Sequence, residues 1–200
     1  MTEIGGYKRV GIFGGSFDPP HKTHIEMAES ARKFLGLDLL VFVPACSSPP
    51  KFDSHFATFA DRAKMLEIAL ESFSGKFEIS SIEAEAKTVC YAADTAEIMA
   101  KRFPAAKLYW LAGADMAASI PHWRGIEKLS KIVEFAFFKR AGIPLNAGDF
   151  PKNISATEIP FAESQISSSA IRRAIKNGIK TQWLAPKVAE YIAEKRLYTH

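Results

Sequence analysis

The chain has 200 residues, 48% of them hydrophobic, and a formal net charge of +4. That length suits one domain with a sizeable core and excludes a disordered chain, while so mild a charge excludes a surface built to wrap nucleic acid. Only two cysteines occur, Cys46 and Cys90, with no CxxC spacing, which argues against a zinc site or disulfide framework and for a reducing compartment.

The first ten residues, MTEIGGYKRV, lack the apolar core of a signal peptide, and the longest apolar run, LLVFVPAC, is too short to span a bilayer; both predict a cytoplasmic protein without a membrane partner. RVGIF reads as a strand ended by Gly14-Gly15. From Ile25 to Leu35 the pattern turns helical, with Met27, Ala31, Phe34 and Leu35 on one stripe and Gly36 closing it. LLVFVPA does not alternate, so it predicts a strand buried on both faces, and SSPPKFDSHFA is loop by composition. Thr58 and Asp61 resemble a helix cap, followed by an apolar face of Leu66, Ala69, Leu70 and Phe73. KFEISSIEAE predicts a strand, YAADTAEIMAKRF a helix stopped by Pro104, KLYWLAGAD a strand, WRGIEKLS a short helix, and IVEFAFFKR and ISATEIPF two further strands. SSAIRRAIKNG and PKVAEYIAEKR close the chain as helices. This order predicts an α/β, Rossmann-like, doubly wound and mostly parallel sheet, with helices on both faces and a short C-terminal helical appendage. One domain covers 1–200, its helical end spanning about 166–200. In such sheets ligands sit outside the carboxyl ends of the strands, and three unusual loops fall on that rim: GGSFDPPHKTH, PACSSPPK and AGAD.

The glycines do not follow the spacing of a dinucleotide fingerprint, no acidic residue closes the second strand, and no GKS or GKT makes a P-loop. Gly14 and Gly15 either make a plain tight turn or let the backbone approach a bulky ligand and offer N–H groups to phosphate. Asp18-Pro19-Pro20 makes a stiff, extended segment ahead of the next helix. His21 and His24 are three residues apart where that helix starts, an arrangement suited to an anion. Asp18, His21 and His24 as a divalent-metal site, serving a phosphohydrolase, is the rival reading, although its remaining ligands are not evident. ISSSAIRR places three hydroxyls at a helix N-terminus, with Ser167 or Ser168 as the cap. Arg172 lies one turn further in, able to reach the same anion as Ser168 or Ser169, while Arg173 points about a hundred degrees away.

GGSFDPPHKTH resembles the nucleotidyltransferase form of the (H/T)xGH loop, and the whole chain resembles the bacterial nicotinate-nucleotide adenylyltransferases. The match runs in order through SSPPK, CYAADT, WLAGAD with Trp123 after it, ISSSAIR and VAEYIAEKRLY. The resemblance implies AMP transfer from ATP to nicotinate mononucleotide, with Mg²⁺ accompanying ATP. It implies that His21, His24, Lys51 and Arg172 carry catalysis. ATP would lie against Gly14, Gly15, Ser16, Phe17, Gly113, Asp115, Ile166, Ser168 and Ser169 as well as the histidines and Arg172. The mononucleotide would meet Ser16, Phe17, Lys51, Tyr91, Ala92 and Trp123, the last stacking on the pyridine ring. A half-buried core aromatic at Trp123 and a loop cap at Asp115 are the plain structural alternatives.

Three positions depart from the family pattern. Thr23 stands in place of a glycine, which matters if that residue needs positive φ or touches ATP. Pro50 replaces a histidine, leaving Lys51 more of the phosphate, and Ala92 replaces a threonine. Thr23 and Pro50 favour a catalytically impaired nucleotide sensor as the competing reading; nicotinamide mononucleotide is the competing acceptor.

Overall fold

The computed structural model describes residues 6–45, 57–86, 90–138, 154–161 and 166–199, and the Asp115 side chain lies outside this description. The elements in chain order are β1 (Arg9–Gly15), α1 (Lys22–Leu35), β2 (Leu39–Pro44), α2 (Phe59–Ala69), β3 (Phe77–Ile79), α3 (Ile82–Glu85), α4 (Ala92–Arg102), β4 (Lys107–Gly113), α5 (Ile126–Ile132), β5 (Val133–Phe138), β6 (Ala156–Ile159), α6 (Ser168–Lys176) and α7 (Pro186–Glu194). The strands form one sheet in the order β3-β2-β1-β4-β5-β6. Every neighbouring pair is parallel, as the alternation of β and α patterns predicts.

Successive strand side chains point to opposite faces, so each strand feeds two cores. On one face Phe13, Leu40, Phe42, Leu111 and Phe138 pack under Ala28, Ala31 and Leu35 of α1 and Leu66 and Leu70 at the end of α2. On the other, Ile12, Val41, Trp110 and Phe135 pack under Ala93, Ala96 and Met99 of α4 and Leu129 of α5. Burying one such large apolar side chain is worth about 1.5–3 kcal/mol, and strands with two buried faces collect that gain on both. The far side of α2 carries Met65 and Ala69, which join Ile171 of α6, Val188 and Ile192 of α7, and Tyr198 in a smaller third core. The C-terminal helices are therefore seated on α2. The crossovers switch face between β1 and β4, the place where a crevice opens at the carboxyl ends of the strands.

Four local expectations are corrected. α1 begins at Lys22, and its buried stripe uses Thr23, Ala28, Ala31 and Leu35, whereas Phe34 is 50% exposed. KFEISSIEAE holds only the three-residue β3. Ser80 then donates its main-chain N–H to Phe42 and accepts the Ile82 N–H on its hydroxyl, which turns the chain into the one-turn α3. WRGIEKLS becomes helical only after Gly125, whose φ of 77 and close approach to Ala93 (a Cβ would come within 2.9 Å) no other residue tolerates. Ala114–His122, read only as the end of a strand and a loop, forms a 3₁₀ helix. The loop 46–56 lies outside the described residues. Among the described residues no helix is long and apolar enough to cross a membrane.

Thr58 does cap α2, its hydroxyl accepting the Asp61 N–H at 3.1 Å and donating to the Asp61 carboxylate at 2.6 Å. Thr58→Ala removes that cap from a helix that supports two of the three cores. The expected loss is about 1 kcal/mol of unfolding free energy, read as a lowered urea midpoint at unchanged slope.

Candidate functional site

Residues 16–20 connect β1 to α1 at the crevice. β1 runs beside β2 up to the pair Gly15–Pro44, and the Gly15 carbonyl accepts the Ala45 N–H at 2.8 Å. A Cβ on Gly15 would lie 3.1 Å from the Phe17 ring, so a larger residue there requires that ring to give way. Phe17, at φ 47, folds its ring back into the core, 1% exposed, against Phe13 and Phe42. Its side chain thus supports the loop from beneath. The Asp18–Pro19 peptide is cis.

The loop is held by side chains from distant elements. Arg62 of α2, 1% exposed, donates through Nη1 to the Ser16 carbonyl at 2.7 Å and through Nε to the Ala57 carbonyl at 3.3 Å. Arg172 of α6 donates through Nη1 to the Asp18 carbonyl at 2.7 Å, and Ser168 Oγ donates to the Pro19 carbonyl at 2.9 Å. The buried Asp18 carboxylate accepts the Tyr198 hydroxyl at 2.6 Å and the Ala57 N–H at 3.3 Å. Burial, then the bond to Asp18, push the Tyr198 phenol well above its usual range, so it remains a donor at any working pH. At the start of α1 the Lys22 N–H donates to the Trp183 carbonyl at 2.9 Å.

His21 caps α1 and His24 occupies its first turn; the two rings stack with centroids 3.7 Å apart. The His21 N–H donates to His24 Nδ1 at 3.2 Å, which places the proton of a neutral His24 on Nε2. Phe17 packs edge-on to His24, 5.1 Å away between centroids. Burial pushes the His21 imidazole down to about 4, and burial together with neighbouring His21 holds His24 well below its ordinary value. Both rings are therefore neutral hydrogen-bond partners at pH 7, not cations. His21 Nδ1 is buried without a hydrogen-bond partner among the described residues. Thr23 sits between them as an ordinary helical residue, buried and without positive φ, so the family's glycine is not required there for its conformation.

Ser167 accepts the Ala170 N–H at 3.2 Å and so caps α6, which leaves Ser168 and Ser169 in the first turn; Arg172 Nη2 donates to Ser169 Oγ at 3.3 Å. Ile166 precedes this cap and packs on the third core. Across the crevice, Gly113 ends β4 two residues beyond the Phe13–Leu111 pair, level with Gly15. Beyond it Trp123 is half-buried, edge-on to Trp110 at 6.3 Å, with its indole N–H donating to Ser119 at 3.1 Å. Tyr91 caps α4 and Ala92 is its first residue; the Arg124 guanidinium lies 4.7 Å over the Tyr91 ring. Lys51 and Pro50 lie outside the described residues, as does the Asp115 side chain. Asp18 spends its carboxylate on Tyr198 and Ala57, and among the described residues no three His, Cys, Asp or Glu side chains converge as metal ligands.

Sequence reasoning missed Arg62 and Tyr198. A signal for Arg62 existed: it occupies the apolar stripe of α2 with Leu66 and Ala69, where a charge is out of place unless it reaches a buried acceptor. Nothing near Tyr198 in the sequence points to residue 18. The burial has two measurable consequences. Replacing Arg62 by Met strands the Ser16 and Ala57 carbonyls, with an expected loss of about 3 kcal/mol in denaturant unfolding. His21 has a folded value below its unfolded 6.5, so the unfolded chain binds the extra proton. Unfolding free energy should thus fall as pH drops from 6.5 to about 4, with on the order of 3 kcal/mol of that fall due to His21, and His21→Gln should make the fall shallower while His24 keeps its own share.

The cytidylyltransferase-like family profile matches residues 12–174. A protein of Bacillus licheniformis named "Probable nicotinate-nucleotide adenylyltransferase" is 36% identical over 194 residues, covering 96% of this chain and 98% of its own length. The nicotinate-nucleotide adenylyltransferase of Bacillus subtilis is 33% identical over 192 residues, covering 96% and 98%. Among solved structures, Plasmodium falciparum nicotinic acid mononucleotide adenylyltransferase complexed with NaAD superposes with a TM-score of 0.81 at 20% identity, over 96% of this chain and 97% of that one, a likeness of fold. The near full-length identity and the cytidylyltransferase-like profile agree with the sheet order, and the chain belongs to the nicotinate-nucleotide adenylyltransferase family.

Proposed function

We propose that this chain transfers AMP from ATP to nicotinate mononucleotide, giving deamido-NAD and pyrophosphate, as a cytoplasmic enzyme built as one nucleotidyltransferase domain. The observation that carries the reading is the union of two motifs 154 residues apart: Arg172 of ISSSAIR bonds the Asp18 carbonyl of GGSFDPPH. Two phosphate-binding helix starts are thereby brought to one crevice, beside the glycine turn.

In this reaction a 5′-phosphate oxygen of the mononucleotide attacks the ATP α-phosphorus, the bond from that phosphorus to the bridging oxygen breaks, and pyrophosphate leaves. The attacking oxygen is already ionised at neutral pH, so the chain needs no general base; its task is to orient the phosphates and stabilise charge. Gly14, Gly15 and Ser16 offer main-chain N–H groups. His24 offers Nε2–H to a bound phosphate, and His21, stacked on it at the start of α1, fixes that ring in place. The Ser169 hydroxyl and the main-chain N–H groups of Ser168 and Ser169, at the start of α6 behind Ile166, serve the same anion, and Arg172 and Lys51 supply positive charge. Gly113 at the end of β4 and Asp115 just beyond it flank the nucleotide, while Trp123, Tyr91 and Ala92 line the pyridine side and Phe17 supports the turn from beneath. Enzymes of this class use a divalent cation with the nucleoside triphosphate, and we take it to be Mg²⁺. Bound with the nucleotide, such an ion would supply positive charge to the departing pyrophosphate.

The test offers ATP and Mg²⁺ with nicotinate mononucleotide, nicotinamide mononucleotide or phosphopantetheine and measures pyrophosphate. Release with nicotinate mononucleotide is expected, with kcat lowered about 100-fold by His24→Ala and by Arg172→Ala. Turnover confined to nicotinamide mononucleotide reassigns the acceptor. ATP binding without release from any acceptor refutes catalysis and leaves a nucleotide sensor.

A further inference from the structure

Among the described residues, the non-glycine residues with positive φ are three: Phe17 (φ 47), Arg196 (φ 51) and Tyr198 (φ 66). All three lie on two segments that touch, the loop after β1 and the stretch after α7. Such a conformation is uncommon for a residue with a side chain and persists only where surrounding contacts impose it. Its effect at the end of the chain is plain. The backbone reverses after α7, Tyr198 turns inward to 6% exposure, and its hydroxyl reaches Asp18 Oδ1, 180 residues away in sequence.

Attachment of the C-terminal helices does not require this bond. Val188 and Ile192 already pack on Met65 and Ala69, and Tyr191 ties α7 to α2 through the Asp61 carboxylate at 2.9 Å. Tyr198 instead ends on the one loop residue whose carbonyl anchors Arg172 and which lies three positions before His21. Pro19 and Pro20 transmit the placement of Asp18 stiffly to the start of α1.

We propose that Tyr198 is a positioning residue for adenylyl transfer, holding Asp18 so that Arg172 and the stacked histidines keep the arrangement in which they meet the phosphates. The proposal rests on the adenylyl-transfer reading for its kinetic consequence, and on the hydrogen-bond geometry alone for its structural one. Loosening a group that is aligned for the transition state lowers kcat more than it raises KM.

The experiment compares Tyr198→Phe with Tyr191→Phe. Each deletes one hydroxyl bonded to an aspartate while keeping the ring, and the second leaves the loop untouched. Tyr198→Phe is expected to lower kcat about 10-fold or more with KM for both substrates within about threefold, and to move the His21 and His24 ring resonances. Tyr191→Phe should leave kcat and those resonances at their wild-type values, whatever either change does to the melting temperature. Unchanged histidine resonances in Tyr198→Phe, or equal effects of the two variants, overturn the proposal. Failure of the wild-type protein to release pyrophosphate strikes the adenylyl-transfer reading instead, and the histidine resonances still decide whether Tyr198 sets the loop.

Discussion

A loop that contains two consecutive prolines has too few N–H groups to stabilise itself, and this governs how the crevice is built. Carbonyls at Ser16, Asp18 and Pro19 are held by side chains from α2 and α6, and the Asp18 carboxylate is held from the end of the chain. Those elements share the third core with one another, and α2 joins that core to the sheet through Leu66. The small helical appendage is thus the frame on which the glycine–histidine loop hangs. A buried arginine at position 62 is tolerable for the same reason, because its donors meet carbonyls that the loop geometry leaves in need of them.

The frame also fixes the electrical character of the site. Two stacked imidazoles among Phe13 and Phe17 shed their protons easily, so at neutral pH the start of α1 carries neutral rings beside the charged guanidinium of Arg172. A rigid neutral donor gives up less hydration than a cation would when an anion arrives. An anion bound there would in turn favour the protonated ring, so ligand binding and histidine titration are coupled by linkage.

The alternation of strand and helix patterns was legible because strands buried on both faces read as unbroken apolar runs, as in LLVFVP, and because caps such as Thr58 and Gly36 act within a few residues. The elements that resisted reading were the ones decided by neighbours. FEI stops after three residues because the Ser80 side chain at its end competes for the backbone, and Phe34 faces outward because the stripe of α1 is set by where the sheet lies. At the crevice, GGSFDPPHKTH and ISSSAIR stood out by residue type as candidate anion-binding segments, and the structure joins the two through Arg172 and Asp18. Phe17, expected at the substrate, instead gives its ring to the core, a choice made by the left-handed turn at that residue.

The sequence by itself determined the order of elements, the parallel sheet, the caps and the residue types that face the crevice, all of which arise from interactions within a few positions or from periodicity. Tertiary structure alone decided that Arg62 spans from α2 to Ser16, that Arg172 and Ser168 close on Asp18 and Pro19, and that Tyr198 returns to Asp18. These bonds join residues up to 180 positions apart. No local pattern encodes such a pair, because each partner is satisfied only when packing has already brought the other within hydrogen-bond reach.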